Sequence, residues 1–492
     1  MKLNGAIRHR RGEGIVARFF DDFSMTIDGK AAASPTTLDV LNPATEEVVA
    51  SVPDCTREQL DASVAAARKA FPGWRDTPIS ERRRALVKFA EVIAAHADDF
   101  ARLFTLEQGR PLAGARMEID FGAYWAAEMA KMEIPVTVTE DSQTRYSETH
   151  HTPLGVVAGI VPWNFPFNLA LWKIAPALLT GNTLVLKPSP FTPLTMLKLA
   201  ELMREHLPAG VFNVVSGGDR LGPWLTAHPD VDKISFTGST ATGKKVMEAA
   251  SAGLKRVTLE LGGNDAAIVL PDVNVDEIAD QLFFAAFGNS GQICIATKRM
   301  YIHEDVYDRV AEALAMRARH AVVGNGLDQG SNFGPIQNRP QFERVKDLIA
   351  DAKKNGLNFI AGGDLVEGKG YFIPISIVDN PPESSRVVQE EAFGPVLPLL
   401  KFKDVDEVIA RVNASEYGLA GSVWTKDIEL AKQIARRIET GTVWINHTMY
   451  IMPWTPFAGR KQSGLGVENG VEGLLEFTAP QTITVARQPQ PA

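Results

Sequence analysis

The stretch from 155 to 261 constrains the fold most, because short β-branched runs alternate there with helical segments. The strand-like runs are GVVAGIV (155–161), TLVLK (183–187), VFNVV (211–215), KISF (233–236) and VTLEL (257–261). Strand–helix–strand alternation with short connections predicts a parallel sheet that helices cover on both faces. Such sheets bind ligands at the carboxyl ends of their strands, so the residues after each strand are the first candidates for a functional site.

The rest of the chain predicts a larger α/β protein. With 492 residues, the chain is long enough for two or three domains. Residues 56–130 have helical periodicity and start with a capping box at Thr56, and a second α/β region runs from about 262 to 460. Segments 137–150 and 482–486 alternate like exposed edge strands, which favours pairing with another subunit.

Composition and charge exclude some classes of function. The formal net charge of −8 leaves no basic excess to neutralise phosphates, so we do not expect nucleic-acid binding. No apolar run is long enough to predict a membrane span. The first 20 residues are basic and poor in acids, and we expect an irregular start of a cytoplasmic protein, with a targeting segment as the alternative. Two cysteines in so long a chain fit a reducing compartment.

Polar side chains follow the first two strands. Asn164 stands between Pro162 and Pro166, which fix the backbone on both sides. An amide held rigidly at this place can donate to a developing oxyanion, but it can equally cap the following helix. Lys187 ends the second strand, where its ammonium can bond sugar hydroxyls or a phosphate, or can simply be solvated.

Glycines and a carboxylate follow the last two strands. After the strand at 233–236, Gly238 and Ser239 begin a turn of small residues ahead of a helix, whose N-terminus would favour a phosphate. The turn matches neither the dinucleotide fingerprint nor the P-loop. Glu260 lies near the end of the strand at 257–261 beside two glycines, as a cap, an ion-pair partner or a base that faces a cleft.

Cys294 lies in the segment NSGQICIATKR, among small residues that leave space around its thiol. A structural cysteine is usually buried among large apolar side chains, whereas a reactive thiolate is favoured at a helix N-terminus that lowers its pKa. The residue types leave both interpretations open for Cys294. Cys55 has no comparable surroundings, and we interpret it as structural.

Seven motifs follow one another along the chain: PWNFP, LVLKPSP, FTGSTATG, ELGGND, GQICIATKR, EEAFGPV and PFAGRKQSGLG. Taken together, these motifs resemble those of the aldehyde dehydrogenase superfamily. The resemblance covers nearly the whole chain, from about residue 41 to the tail, and the spacing of Glu260 and Cys294 agrees as well. It implies NAD(P)-dependent, hydrolytic oxidation of an aldehyde by a cysteine nucleophile.

The resemblance also implies an α/β fold with a Rossmann-like cofactor domain, an α/β catalytic domain and a small β arm that joins subunits. The corresponding ranges are 1–135 and 152–261 for the cofactor domain, 262–460 for the catalytic domain, and 136–151 and 461–492 for the arm. The implied partners are a small aldehyde and further copies of the chain, in a homodimer or homotetramer. The resemblance implies no metal.

Individual roles follow from the motif positions. By resemblance, Cys294 is the nucleophile, Asn164 the oxyanion amide and Glu260 the general base, while Lys187 matches the residue that binds the adenosine ribose. The other implied cofactor contacts are Ser239 at the pyrophosphate with Gly238 in the same turn, Glu391 and Phe393 at the nicotinamide ribose and ring, Pro190 near the adenosine ribose, and Trp163.

The implied cofactor is NAD, with NADP tolerated. Many NAD-preferring members of the superfamily have a glutamate three residues after the ribose-binding lysine, and this chain has Pro190 there. Without that carboxylate, no charge at this position repels a 2′-phosphate.

The implied substrate pocket is mostly apolar and aromatic, which favours a neutral aromatic or medium-chain aldehyde. By motif position, its walls are Phe165, Leu169, Trp172, Ile293, Ile295 and Phe457. Each of these side chains also suits ordinary core packing. Segment 446–454 should line the mouth, and the absence of arginine from these segments argues against a semialdehyde substrate. The alternatives are a semialdehyde dehydrogenase, acyl transfer to coenzyme A, a cofactor-free esterase, and a non-catalytic binding protein with the same fold.

Overall fold

A computed structural model describes residues 19–365 and 367–487 of the chain. The two interpretations of the basic N-terminal segment fall on residues 1–18, which lie outside the described residues.

The described residues form short strands and longer helices. The strands are β1 (Met25–Ile27), β2 (Lys30–Ala32), β3 (Thr37–Asn42), β4 (Glu47–Pro53), β5 (Thr137–Asp141), β6 (Arg145–Pro153), β7 (Val156–Ile160), β8 (Thr183–Lys187), β9 (Phe212–Val214), β10 (Lys233–Thr237), β11 (Arg256–Glu260), β12 (Asp265–Val269), β13 (Thr297–His303), β14 (Phe359–Ala361), β15 (Ser376–Asp379), β16 (Val396–Phe402), β17 (Tyr417–Gly418), β18 (Ala420–Trp424), β19 (Thr442–Ile445), β20 (Arg460–Lys461), β21 (Gly464–Leu465) and β22 (Thr478–Ala486). The helices are α1 (Arg57–Arg75), α2 (Ile79–Ala95), α3 (Ala97–Gln108), α4 (Leu112–Met129), α5 (Asn168–Leu179), α6 (Leu194–Met203), α7 (Leu221–Ala227), α8 (Thr240–Ser251), α9 (Val275–Phe287), α10 (Glu304–His320), α11 (Arg339–Lys354), α12 (Arg386–Gln389), α13 (Val405–Asn413), α14 (Ile428–Ala435) and α15 (Gly470–Leu475).

The five predicted strands form the centre of an eight-stranded sheet. Its order is β2-β1-β9-β8-β7-β10-β11-β21, and the central five strands run parallel. The predicted parallel sheet is confirmed. The predicted capping box is also present, since the Thr56 side chain accepts from the Gln59 N–H at the start of α1. The carboxyl ends of β7, β8, β10 and β11 therefore lie along one edge of the sheet, where the polar residues of the motifs follow.

A seven-stranded sheet follows, in the order β14-β15-β16-β13-β12-β18-β19. Alternate residues of β12 belong to different apolar cores: Ala266 and Ile268 pack into one, and Ala267 and Val269 into the other. Because successive side chains of a strand point to opposite faces, this alternation shows that both faces of the sheet are covered, as parallel sheets require. The α/β fold class is confirmed.

A smaller antiparallel sheet has the order β22-β6-β5. It contains both segments that were predicted to be exposed edge strands, and residues 145–153 pair with 478–486 over their whole length. The short strand at 464–465 pairs instead with β11 of the first sheet. The domain ranges that the resemblance implies stay a prediction. Within the described part of the chain, no helix combines the length and apolarity needed to cross a membrane.

Candidate active site

The Asn164 amide connects the end of β7 to the segment that carries Cys294. Its Nδ2 donates to the main-chain carbonyl oxygen of Gln292 at 3.0 Å. The main-chain carbonyl oxygen of Asn164 accepts from Arg110 Nη2 at 2.7 Å. The side chain does not cap α5. Phe167 is the N-cap residue, and its N–H donates to the Glu118 carboxylate at 3.1 Å. The capping interpretation of Asn164 is therefore wrong.

A buried ion pair contacts the segment that contains Asn164. Arg110 and Glu118 lie 2.6 Å apart with side chains at most 9% exposed. The same guanidinium donates from Nε to Asn289 Oδ1 at 3.0 Å and lies 4.2 Å from the ring centre of Phe165. Arg110 thus contacts both the segment of Asn164 and the turn that leads to the thiol, and none of the sequence motifs indicates it.

The turn before Cys294 has an unusual backbone. Asn289, Ser290 and Gly291 follow α9 with φ angles of 50°, 55° and 73°, all in the left-handed region that side chains disfavour. A Cβ on Gly291 would lie 2.2 Å from the Gly394 carbonyl oxygen, so only glycine fits there. The turn reverses the chain and places Cys294 between a helix C-terminus and β13, and not at a helix N-terminus.

Three carboxyl groups and one ammonium act on the half-buried thiol of Cys294. Burial raises the pKa of Cys294 to about 12. The Lys298 ammonium opposes this rise, while the carboxylates of Asp265, Glu260 and Glu391 add to it. A lowered pKa, which a reactive thiolate at a helix N-terminus would have, is therefore not found. Deprotonation of Cys294 must be coupled to binding or to a base.

Glu260 is a buried carboxyl group without a hydrogen bond from any described residue to either of its oxygens. Burial raises its pKa well above the ordinary range, the charge of Glu468 raises it further, and the charge of Lys173 opposes the rise. Those two neighbours form their own fully buried pair at 2.7 Å, and Lys173 Nζ also donates to Thr237 Oγ1 at 2.8 Å. The cap and ion-pair interpretations of Glu260 are thus wrong, and its role as a base stays a prediction.

The EEAFGPV motif, in the loop before β16, contacts residues that follow β11 and β7 of the first sheet. Glu391 Oε1 accepts from the Gly263 N–H at 3.1 Å and lies 3.5 Å from Lys298 Nζ. The ring of Phe393 meets the ring of Trp163 edge-on, with centroids 5.3 Å apart. The structure therefore brings these predicted contacts of the nicotinamide half together.

Lys187 is buried at the end of β8, so the solvated interpretation is wrong. Burial lowers the pKa of its ammonium to about 8, and the charges of Asp219 and Asp54 oppose the change. Its Nζ donates to the Pro188 carbonyl oxygen at 3.3 Å. An ammonium has three donors, so Lys187 has capacity for further acceptors. Pro190 follows in the same loop.

The glycine-rich turn lies next to the end of β11. Ser239 is the N-cap of α8, where its hydroxyl accepts from the Thr242 N–H. The Gly238 N–H donates to the Glu260 carbonyl oxygen at 3.0 Å, and a Cβ on Gly238 would lie 2.5 Å from the Phe236 ring. The N–H groups of the first turn of α8 have no acceptors within the helix ladder, and the Ser239 hydroxyl accepts from one of them, that of Thr242.

The six predicted pocket residues belong to the same apolar cluster as Cys294, five of them buried and Phe165 partly buried. Aromatic rings form a row through this cluster: Trp172 stacks on Trp125 with centroids 5.0 Å apart and meets Phe457 edge-on at 5.8 Å. The arrangement fits both a pocket wall and core packing, so the role of each side chain stays a prediction.

Sequence reasoning missed three buried cations near the site. Lys173 lies in the otherwise apolar helix NLALWKIAPALL, Lys298 lies near the start of β13, and Arg110 lies before α4. A charged residue inside an apolar run is the signal that indicates Lys173, because a buried charge needs a partner.

Comparison with known proteins agrees with the geometry. The family model described as "Aldehyde dehydrogenase family" matches residues 30–483. The phenylacetaldehyde dehydrogenase of Pseudomonas fluorescens is 41% identical over 471 residues, covering 92% of this chain and 94% of that protein. The putative aldehyde dehydrogenase FUS7 of Gibberella fujikuroi is 43% identical over 458 residues, covering 93% and 97%.

Solved structures show the same similarity in three dimensions. The NAD+ complex of aldehyde dehydrogenase from Bacillus cereus matches with a TM-score of 0.94 and 36% identity, covering 97% of this chain and 99% of that one. These matches span both large sheets and every segment that carries the site. The resemblance seen in the motifs is thereby confirmed, and the chain belongs to the aldehyde dehydrogenase family.

Proposed function

We propose that this chain oxidises a neutral aldehyde to the carboxylic acid with NAD, using Cys294 as the nucleophile. One observation carries the proposal: the charge of Glu260, a buried carboxyl group with no hydrogen-bond partner among the described residues, acts on the half-buried thiol of Cys294. A thiol and a proton acceptor with a raised pKa are what acyl-enzyme chemistry at a carbonyl carbon requires.

The proposed steps assign one role to each of these side chains. Cys294 Sγ attacks the aldehyde carbon, and its proton leaves to a base as the thiohemiacetal oxyanion forms. The Asn164 amide and the Cys294 N–H donate to that oxyanion, and each such donor is worth about 3–4 kcal/mol in characterised enzymes. Loss of a hydride from the same carbon gives the thioester. Glu260 then takes a proton from water, which attacks the thioester and releases the acid and the thiol.

Glu260 has to bind and release this proton although its carboxyl group is buried. The pair of Lys173 and Glu468 is positioned to assist, because the two charges have opposite effects on the pKa of Glu260. Lys173 also donates to Thr237 at the end of β10. We propose that this pair sets the protonation state of Glu260 between the two halves of the reaction.

The edge of the first sheet fits a dinucleotide. Lys187 has donors to spare for ribose hydroxyls, and the capped N-terminus of α8 at Gly238 and Ser239 suits a pyrophosphate. Glu391 and Phe393, with Trp163 opposite, would hold the nicotinamide half. When bound, NAD supplies the hydride acceptor. Pro190 carries no charge against a 2′-phosphate, so we expect NADP to be accepted as well.

The aldehyde is proposed to be aromatic or of medium chain length. The apolar cluster around Cys294 and its row of aromatic rings support this class, as does the similarity to a phenylacetaldehyde dehydrogenase. The Arg110 guanidinium lies against Phe165 but is already paired with Glu118, so it offers no free clamp for a second carboxylate. This argues against the semialdehyde alternative.

Absorbance at 340 nm tests the proposal. The panel is phenylacetaldehyde, benzaldehyde, hexanal and succinic semialdehyde, each with NAD and with NADP, for the wild type and for Cys294→Ala. We expect NADH formation that disappears in Cys294→Ala and a kcat/KM at least about tenfold higher for the neutral aldehydes. A higher kcat/KM for succinic semialdehyde would overturn the substrate class, and a requirement for coenzyme A would overturn hydrolysis.

The state of assembly and the cellular location belong to the same proposal. The exposed sheet of β5, β6 and β22 suits pairing between copies in a homodimer or homotetramer. A cytoplasmic location fits a chain with two cysteines, both of them free.

A further inference from the structure

Lys298 is a buried cation that contacts the nucleophile turn through its main chain. Its side chain is 4% exposed. Nζ donates to the carbonyl oxygens of Cys294 at 2.7 Å and of Ile293 at 2.8 Å, and it lies 3.4 Å from the carbonyl oxygen of Ala296. Glu391 Oε1 is 3.5 Å from the same nitrogen. The ammonium therefore links the turn of the thiol to the loop that faces the nicotinamide half.

One of these contacts acts on a peptide group that the reaction uses. The Ile293 carbonyl and the Cys294 N–H belong to one peptide unit, whose planar trans geometry points them in opposite directions. An ammonium that donates to this carbonyl oxygen holds the peptide plane in place. It also draws electron density from the peptide nitrogen, which makes the N–H a stronger donor. No residue in the described ranges accepts a hydrogen bond from the Cys294 N–H, so this donor is available to a ligand.

We propose that Lys298 is a positioning residue of the oxyanion site: its ammonium orients and polarises the Ile293–Cys294 peptide, so that the Cys294 N–H binds the oxyanion more tightly. The inference rests on the proposed function only in taking Cys294 as the nucleophile. It concerns the stabilisation of any oxyanion at that thiol, whichever aldehyde is the substrate.

Lys298 also acts on the thiol itself, and a test has to separate the two effects. The titratable groups that face Cys294 are Lys298 from β13, Glu260 from β11, Asp265 from β12 and Glu391 from its loop. Removing the one cation disfavours the thiolate in every reaction of Cys294. Alkylation by iodoacetamide needs the thiolate but forms no oxyanion. Acylation by p-nitrophenyl acetate needs both: the Sγ–C bond forms through a tetrahedral oxyanion, and the ester C–O bond then breaks to release p-nitrophenolate.

The experiment compares these two rates in the full-length chain without cofactor. The variants are Lys298→Met, which removes the charge, and Lys298→Arg, which keeps it. Lys198→Met is the matched control, because Lys198 is a buried lysine of α6 that pairs with Glu201. Two rates are measured for each variant: the rate of inactivation by iodoacetamide and the rate of the p-nitrophenolate burst. The ratio of acylation to alkylation should fall about tenfold in Lys298→Met, a part of the 10²–10³-fold lost when an oxyanion donor is removed outright. It should return to within about threefold in Lys298→Arg and stay unchanged in Lys198→Met.

Equal loss of both rates would overturn the proposal, since Lys298 would then act on the thiol alone, and an unchanged acylation rate would overturn it too. If circular dichroism shows that Lys298→Met is unfolded, the same ratio is read in Lys298→Gln, which keeps hydrogen-bond donors without the charge and should still lower the ratio. Neither reaction needs NAD or an aldehyde. A wild-type burst that is absent in Cys294→Ala, without aldehyde oxidation, would refute the proposed function and leave this inference standing.

Discussion

The charge around Cys294 gives a prediction at the scale of single residues. Burial raises the pKa of its thiol to about 12, with Lys298 as the opposing cation. Below that pKa, the thiolate fraction rises tenfold for each pH unit. In the cofactor-free protein, the iodoacetamide inactivation rate should therefore rise from pH 7 to pH 10 without a plateau. A plateau with a midpoint near the ordinary thiol pKa of about 8.5 would contradict the charge distribution described here.

Glu260 should separate the two halves of the reaction. Its unpaired carboxyl group is proposed to serve the hydrolytic half, so Glu260→Gln should still form about one NADH per site and then turn over at least about 10²-fold more slowly than wild type. Stopped-flow absorbance at 340 nm measures both phases. Glu277→Gln, an exposed carboxylate on the first turn of α9, is the control and should behave as wild type. Loss of the first NADH in Glu260→Gln would show that Glu260 is required for attack by the thiol instead.

Helix caps give a prediction at the scale of elements. The buried Glu107 carboxylate accepts from the N–H groups of Leu194 and Thr195, at 2.7 and 3.0 Å, at the start of α6. Glu107→Ala leaves these donors buried and unpaired, which should lower the free energy of unfolding by about 2–4 kcal/mol. Asp404→Ala removes an exposed cap of α13 and should cost about 1 kcal/mol. Urea denaturation measures both values, and equal losses would contradict the proposed effect of burial.

Most of the helices and strands could be predicted from the sequence, because neighbouring residues specify them. Strands such as β8 and β10 are β-branched runs, and the capping box at Thr56 lies within four residues, so their signals are contained in short segments. The interactions around the site, in contrast, join residues that lie far apart in the chain. Lys173 and Glu468 are 295 residues apart in the chain, so no single motif contains both.

The turn before Cys294 depends on distant residues in the same way. The left-handed conformation at Gly291 brings the chain against Gly394, about a hundred residues further on. Motif resemblance located the thiol but predicted no geometry for this turn. Burial raises the pKa of both Cys294 and Cys55 to about 12, so the thiol pKa does not distinguish the two cysteines.

Assembly gives a prediction at the scale of the whole molecule. The three-stranded sheet of β22, β6 and β5 exposes Val138, Ile483 and Val485, each about half accessible to solvent. Apolar edge strands of this kind are expected to be covered by another chain. The double variant Ile483→Lys, Val485→Lys should reduce the mass in light scattering to the 53.5 kDa of one chain. Val48→Lys, at an equally exposed valine of β4, should leave the larger mass unchanged, and an unchanged mass in the double variant would contradict pairing through this sheet.

The measurement to make is the mass of the peptide that contains Cys294, after Glu260→Gln protein has reacted with NAD and phenylacetaldehyde and been quenched with acid. We predict the added mass of one acyl group on Cys294, dependent on NAD and absent in the Cys294→Ala variant of the same protein. An adduct on another residue, or none while the wild-type chain oxidises the aldehyde, would contradict the assignment of Cys294 as the nucleophile.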